Sequence, residues 1–391
     1  MLSPYQLLPE TTEWVSTIYS TILTILTRNP NAAERRHCTI ITASLIHSYP
    51  PTLLFHSSHT HSSSDKPSIY ILLQHLTIDL RASFPSLLEQ LASPSYHSTI
   101  QRLAAAFDII AAFLTFLIHA EDFSTIPISP DLLIKLRTDL SETFGLTIEF
   151  LRDRWDAAYA GTAGFEPGFE EGALKGLTWD STISGGPERD ALIVGAVRAL
   201  SVWLKEDESL RGEAGGLMDV FLGLWTKGIE AGVDYRAWLV GALSGVLEEP
   251  NGRTMFVKLQ GWREVWADLR GIYNSEPDED ELQMGIEEAR MLVSFVKSER
   301  FGNEGWAREL AGVVVSGSRE ARGRRLELEV MVLSLASAVV AATHGASGSF
   351  LRREVEGLRR VQTRMEKAAS GEAEGDELVD ILEDVFHELK M

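Results

Sequence analysis

Apolar residues recur at three- and four-residue spacing along the whole chain, and no alternating strand pattern longer than about four residues interrupts them. Over residues 11–27, Trp14, Ile18, Ile22 and Leu26 form one stripe with Val15, Tyr19 and Leu23 beside it. The β-branched residues in that stretch are poor helix formers, so tertiary burial must hold it. It should stop at Asn29-Pro30, since proline lacks an N–H and restricts the residue before it. Asn31-Ala32-Ala33-Glu34 reads as a capping box opening a second helix, which Pro50-Pro51 closes. Pro67 then starts a helix to about Leu80, followed by a short helix near Ser86–Leu91 and a long apolar one from about Ser98 to His119. Ser129-Pro130 opens a helix or broken pair that reaches about Tyr159.

Gly161 to Gly186 holds seven glycines and little periodicity, and is the longest irregular stretch. Beyond it Pro187 should open the helix that carries Trp203. Asp207 or Ser209 should cap a helix over Leu217–Trp225, and Asp234 one over Trp238–Leu247. Gly271, Pro277, Gly302, Gly317 and Gly345 separate the later helices. The expected organisation is therefore N-terminal helical repeats over 1–160, an insertion or linker over 161–186, and C-terminal repeats over 187–391.

These helices repeat. Ala199-Leu200-Ser201-Val202-Trp203-Leu204-Lys205-Glu206 aligns with Ala242-Leu243-Ser244-Gly245-Val246-Leu247-Glu248-Glu249, 43 positions on, with five of eight residues identical. A looser third copy, Leu292-Val293-Ser294-Phe295-Val296, lies about 49 residues further. Spacing of roughly 40–47 residues is that of HEAT and armadillo repeats, whose helical pairs bury their apolar faces on their neighbours. The pattern predicts an all-α, armadillo/HEAT-like, right-handed superhelical solenoid of paired antiparallel helices.

Composition narrows what such a fold would meet. At 391 residues the chain exceeds a usual single core of up to roughly 250–300, which suits a solenoid or two domains. A net charge of −20 argues against a nucleic-acid partner and suits either solubility or a basic client. The acids concentrate late: residues 1–130 carry nine, and 47 lie beyond. Cys38 is the sole cysteine, so no intrachain disulfide is expected, and no basic n-region marks a secretory signal; cytosol or nucleus is the expected compartment. Val330–Leu351 lacks formal charge, but its glycines and hydroxyl residues mark a buried helix, Leu326–Ala342, rather than a membrane span.

Candidate chemistry is sparse. His56, His59 and His61, with His47 nearby, have the composition of a metal site but lie in a serine-rich loop, and read as solvated. Cys38 sits inside an apolar helix and reads as a core thiol. The nucleophile-elbow, zinc-protease, phosphate-loop and dinucleotide motifs are missing. No cofactor and no catalytic residue is expected. The candidate partner-binding residues are Phe165, Phe169 and Trp179 in the irregular stretch, the acids Glu276, Asp278, Glu279 and Asp280, and Arg352 and Arg359 on a C-terminal helix. Each has a plain counterpart: a packed strap for the aromatics, a dipole-favoured first turn for the acids, and a salt-bridged solvated face for the arginines.

Residues 188–227, above all Ala191-Leu192 through Leu200-x-x-Trp203-Leu204-x-Glu206-Asp207-Glu208-x-Leu210, resemble the neurochondrin family. That resemblance implies a cytoplasmic, armadillo-like adaptor without enzymatic activity, implicated in signalling and trafficking. Animal-type relatives carry N-terminal cysteines for lipid attachment, and none stands near Met1 here. The leading expectation is a non-enzymatic scaffold that binds a protein or peptide. The alternatives are an assembly or transport chaperone for a basic client and, resting on the histidine loop alone, a metal-dependent enzyme.

Overall fold

The computed structural model describes residues 13–27, 31–55, 67–91, 93–120, 126, 128–159, 186–317, 321–347, 352–370 and 375–389. Among them every regular element is helical. The chain divides into two compact units, Met1–Val246 and Leu247–Met391. The first contains α1 (Glu13–Thr27), α2 (Ala32–Ser48), α3 (Thr52–Phe55), α4 (Ser68–Leu87), α5 (Tyr96–Ile118), α6 (Pro130–Tyr159), α7 (Ala191–Glu206), α8 (Arg211–Ala214), α9 (Met218–Ala231) and α10 (Arg236–Val246). The second contains α11 (Pro250–Lys258), α12 (Gly261–Asn274), α13 (Glu279–Glu299), α14 (Glu304–Gly317), α15 (Arg324–Ser347), α16 (Arg352–Ala369) and α17 (Gly375–Glu388).

The helices of the first unit stack in two layers. In one, α2 packs on α5, α5 on α7 and α7 on α10; in the other, α1 packs on α4, α4 on α6 and α6 on α8 and α9. This layered pairing is the armadillo/HEAT-like arrangement anticipated from the 43-residue repeat, whose first copy falls on α7 and whose second begins in the last turns of α10. Small residues let backbones approach within the inner layer, α2–α5–α7–α10, the other layer being the outer. A Cβ on Gly195 would lie 3.1 Å from the Ala104 carbonyl oxygen of α5. One on Gly245 would overlap the Leu204 carbonyl oxygen of α7 and stand 2.7 Å from its carbon.

Local signals set several boundaries. The Asn31 side chain accepts from the Ala33 and Glu34 amides at 3.0 Å each while Glu34 accepts from the Asn31 amide, completing the expected capping box. Other boundaries moved, for reasons of burial. The helix expected to end near Leu80 continues to Leu87 with Pro85 inside its last turn, so no separate helix forms over 86–91. Leu80, Phe84 and Leu87 are all buried, and Phe84 meets Phe107 and Phe150 at 6.2 and 5.3 Å, which outweighs the lost N–H. The 130–159 segment is one helix, backed along its length by the buried ladder Leu136, Leu140, Phe144, Ile148, Leu151 and Trp155.

Pro187 does not open α7. It sits in a single 3₁₀ turn, and Asp190 caps the helix by accepting from the Leu192 amide at 2.9 Å. The Tyr96 hydroxyl donates to Asp190 at 2.7 Å and the Arg154 guanidinium lies 3.9 Å away, joining the ends of α5, α6 and α7. At the far end of α7, buried Arg211 donates to the Leu204 and Lys205 carbonyls at 2.8 and 2.7 Å, satisfying groups a helix terminus leaves open.

The second unit is built around α15, against which α13, α14, α16 and α17 all pack. Every residue from Leu328 to Val340 is buried, so this helix shows no polar stripe. It runs through Gly345 rather than stopping before it. By length and composition, Tyr96–Ile118 and Arg324–Thr343 are long and apolar enough to cross a membrane, but 83% of the latter window is packed inside the protein, as in a core helix.

Candidate partner-binding face

Each inner helix of the first unit turns one stripe away from the outer layer. On α7 that stripe is Ala191, Val194, Arg198 and Lys205, and on α10 it is Ala237, Trp238, Gly241 and Ser244, none of them fully buried. On α5 it runs through Gln101, Ala104, Asp108, Ala112 and Thr115. Small side chains predominate, so the face is shallow and brings a partner close to the helix backbones.

One row of larger side chains crosses it. His47 on α2 stands 4.0 Å from Asp108 on α5, and Arg198 on α7 donates to Asp108 at 2.7 Å. The same guanidinium lies 4.7 Å from the ring centre of Trp238 on α10. Arg198 thus links α5, α7 and α10 by an ion pair and a cation–π contact, and α2 joins the row through His47, which forms an ion pair with Asp108 only when its imidazole is protonated. Side-chain exposures of 33% for His47, 21% for Asp108 and 23% for Arg198 leave the row desolvated enough to be strong yet reachable from solvent. Burial pushes the Asp108 carboxyl above its ordinary value, while Arg198 and His47 pull it back. The Arg198 Nε is itself buried and has no hydrogen-bond partner among the described residues.

The residues singled out in the sequence lie elsewhere. Phe165, Phe169 and Trp179, and the loop with His56, His59 and His61, fall outside the described residues. Glu276 is exposed ahead of α13. Asp278 caps that helix, accepting from the Glu281 amide at 2.9 Å, and Glu279 and Asp280 occupy its first turn, with Glu279 3.7 Å from Arg324. Arg352 begins α16, and the Arg359 guanidinium donates to the Leu389 carbonyl, tying α16 to the end of α17. Arg360 pairs with Glu356 one turn away at 3.3 Å. Among the described residues no ion pair joins the acidic run to these α16 arginines.

Among the described residues there is no cluster of three metal-ligating side chains. Cys38 is buried, and burial, with Glu34 nearby, raises its thiol above the ordinary value. The inner-face row is hidden in the sequence, where His47 reads with the histidine loop and Trp238 with the core tryptophans. Six of the described tryptophans are buried, Trp155, Trp203, Trp225, Trp262, Trp266 and Trp306, whereas Trp238 is only partly so and Trp14 is exposed.

Comparison with known proteins extends the resemblance read from residues 188–227. The Neurochondrin family model matches residues 2–276, about 70% of the chain. An uncharacterized protein of Schizosaccharomyces pombe is 25% identical over 205 residues, an alignment covering 51% of this chain and 32% of that protein. The chain therefore matches about a third of the length of that relative. No solved structure matches.

Proposed function

Because this chain belongs to the neurochondrin family, a non-enzymatic helical scaffold class, we propose that it acts as an adaptor whose inner face in the first unit receives an extended segment of a protein partner. The observation that carries this reading is the row His47–Asp108–Arg198–Trp238 across four successive helices. A packed core does not need a guanidinium held over the ring of a part-buried tryptophan. A peptide backbone does: it needs a planar apolar platform beside hydrogen-bond donors and acceptors that are already ordered, so that binding immobilises few additional side chains. The small residues Ala104, Ala112, Ala191 and Gly241 leave room for that backbone to lie across the stripe.

Quantitative affinity purification of the full chain beside its Trp238→Ala and Arg198→Ala variants tests the reading. Partners of the inner face should fall at least about tenfold in recovery with either variant while the melting temperature holds, equivalent to about 1.4 kcal/mol. An unchanged partner set with both variants would refute it. Retained binding that collapses above physiological salt would instead support a charge-driven chaperone for a basic client.

A further inference from the structure

A second surface of the first unit holds an open, mostly apolar cleft. Where the last turns of α5 and α7 meet the first turns of α6, a cavity of about 330 Å³ opens to solvent. Its floor is apolar, formed by Phe113, Leu117, Leu140 and Trp203. Two isoleucines stand at its mouth, Ile118 at 44% exposure and Ile134 at 66%. Exposed β-branched residues beside an open apolar cleft are what a docking site presents. The volume lies near the lower end of the roughly 300–1,000 Å³ range of ligand pockets, which fits a few side chains better than a large cofactor.

The rim decides the sign of the partner. Arg137 is the guanidinium in the lining, and it is already bonded to Asp207, Nε to Oδ2 at 2.6 Å. Lys205 leans the other way, its Cδ lying 3.8 Å from where a Cβ of Gly241 on α10 would stand. Glu206 lines the cleft and is exposed, and exposed Glu208, outside the lining, is near enough to act on the charge of Arg137. We infer that this groove docks an amphipathic helical segment of a partner protein, with bulky aliphatic anchors on one face and lysine or arginine beside them. The anchors would follow the i, i+3, i+4, i+7 spacing of helix-in-groove recognition. The bases would meet Glu206 and Glu208, raising the association rate and excluding acidic helices.

The test uses the full chain and a fluorescein-labelled helical peptide with leucines at i, i+3, i+4 and i+7 and lysines at both ends, beside a twin ending in glutamates. Anisotropy should show the lysine peptide binding at least about tenfold more tightly than its twin. Ile134→Asp should weaken it by a similar factor, and the joint change Glu206→Lys with Glu208→Lys should reverse the preference. Ile134→Asn provides the same reading should the aspartate variant fail to fold. Trp238→Ala should leave the affinity unchanged, separating this groove from the inner face. Equal binding of the two peptides, no binding at all, or affinity indifferent to both Ile134 variants would overturn the inference.

Discussion

Replacing Gly245 by alanine should destabilise the first unit by about 2–4 kcal/mol, whereas the same replacement at Gly145 should stabilise it. At Gly245 the added methyl meets backbone: it overlaps the Leu204 carbonyl oxygen, lies 2.7 Å from the carbonyl carbon and 3.3 Å from the Arg211 Nε. A carbonyl cannot rotate aside as a side chain can, so α7 and α10 must separate. Overpacking of this kind costs roughly 1–3 kcal/mol. The displacement also strains the 2.8 Å hydrogen bond from Arg211 to the same oxygen, a charge-assisted contact worth about 1.5–3 kcal/mol. Against these stands a gain in helix propensity of at most about 1 kcal/mol, reduced because Gly245 is near the end of α10. Gly145 lies inside α6 with nothing within 4 Å of the point where a methyl would stand, so only the propensity gain of about 0.5–1 kcal/mol applies. Both residues belong to the unit Met1–Val246, so the shifts are read on one transition, by urea denaturation followed through far-ultraviolet circular dichroism. Thermal midpoints should move by about 2–4 °C per kcal/mol for a unit of this size. A Gly245→Ala midpoint within error of the parent, or destabilisation by Gly145→Ala, would refute the close-approach argument.

Further outcomes follow from burial and charge. Leu204 is fully buried between α7 and its neighbours, and Leu204→Asp should cost more than about 3 kcal/mol in the same urea assay; a loss under about 1 kcal/mol would contradict the packing described. Burial pushes the Asp207 carboxyl up, but hydrogen bonds from Arg137 and Ser209 and the charge of Arg137 outweigh it, and the group ends below its ordinary value. Its contribution is therefore present above about pH 4 and lost as pH falls through the folded-state value, so Asp207→Asn should flatten the acid limb of the stability profile. Asp108 is displaced upward, so its stability term declines as pH rises from the unfolded-state value to the folded-state one, and Asp108→Asn should remove a slope of opposite sign. Urea midpoints across the acid range check both, and slopes of the same sign would contradict the assignment.

The helices were legible in the residues because their determinants are local. Three- and four-residue periodicity, the capping box at Asn31 and the acids after Asp278 act within one or two turns, and they identify helix, start and class without knowledge of neighbours. The repeat on α7 and α10 added the architecture, since helices that share a buried pattern 43 residues apart bury it against each other. Burial overruled the local rules only where several large side chains acted together, as at Pro85, where Phe84 and Leu87 hold the helix through a residue that normally ends one. The candidate site was not legible. Arg198 and Asp108 are 90 positions apart, and each stands in an apolar stretch of its helix, indistinguishable in sequence from a solvated surface residue. Which helices become neighbours, and which of their stripes stays uncovered, depends on how the two layers stack and how closely the backbones approach at Gly195 and Gly245. Those are properties of the packed whole: rotating α10 about its own axis by one residue's worth of turn would bury Trp238 or separate it from Arg198, while leaving every local signal in the sequence unchanged.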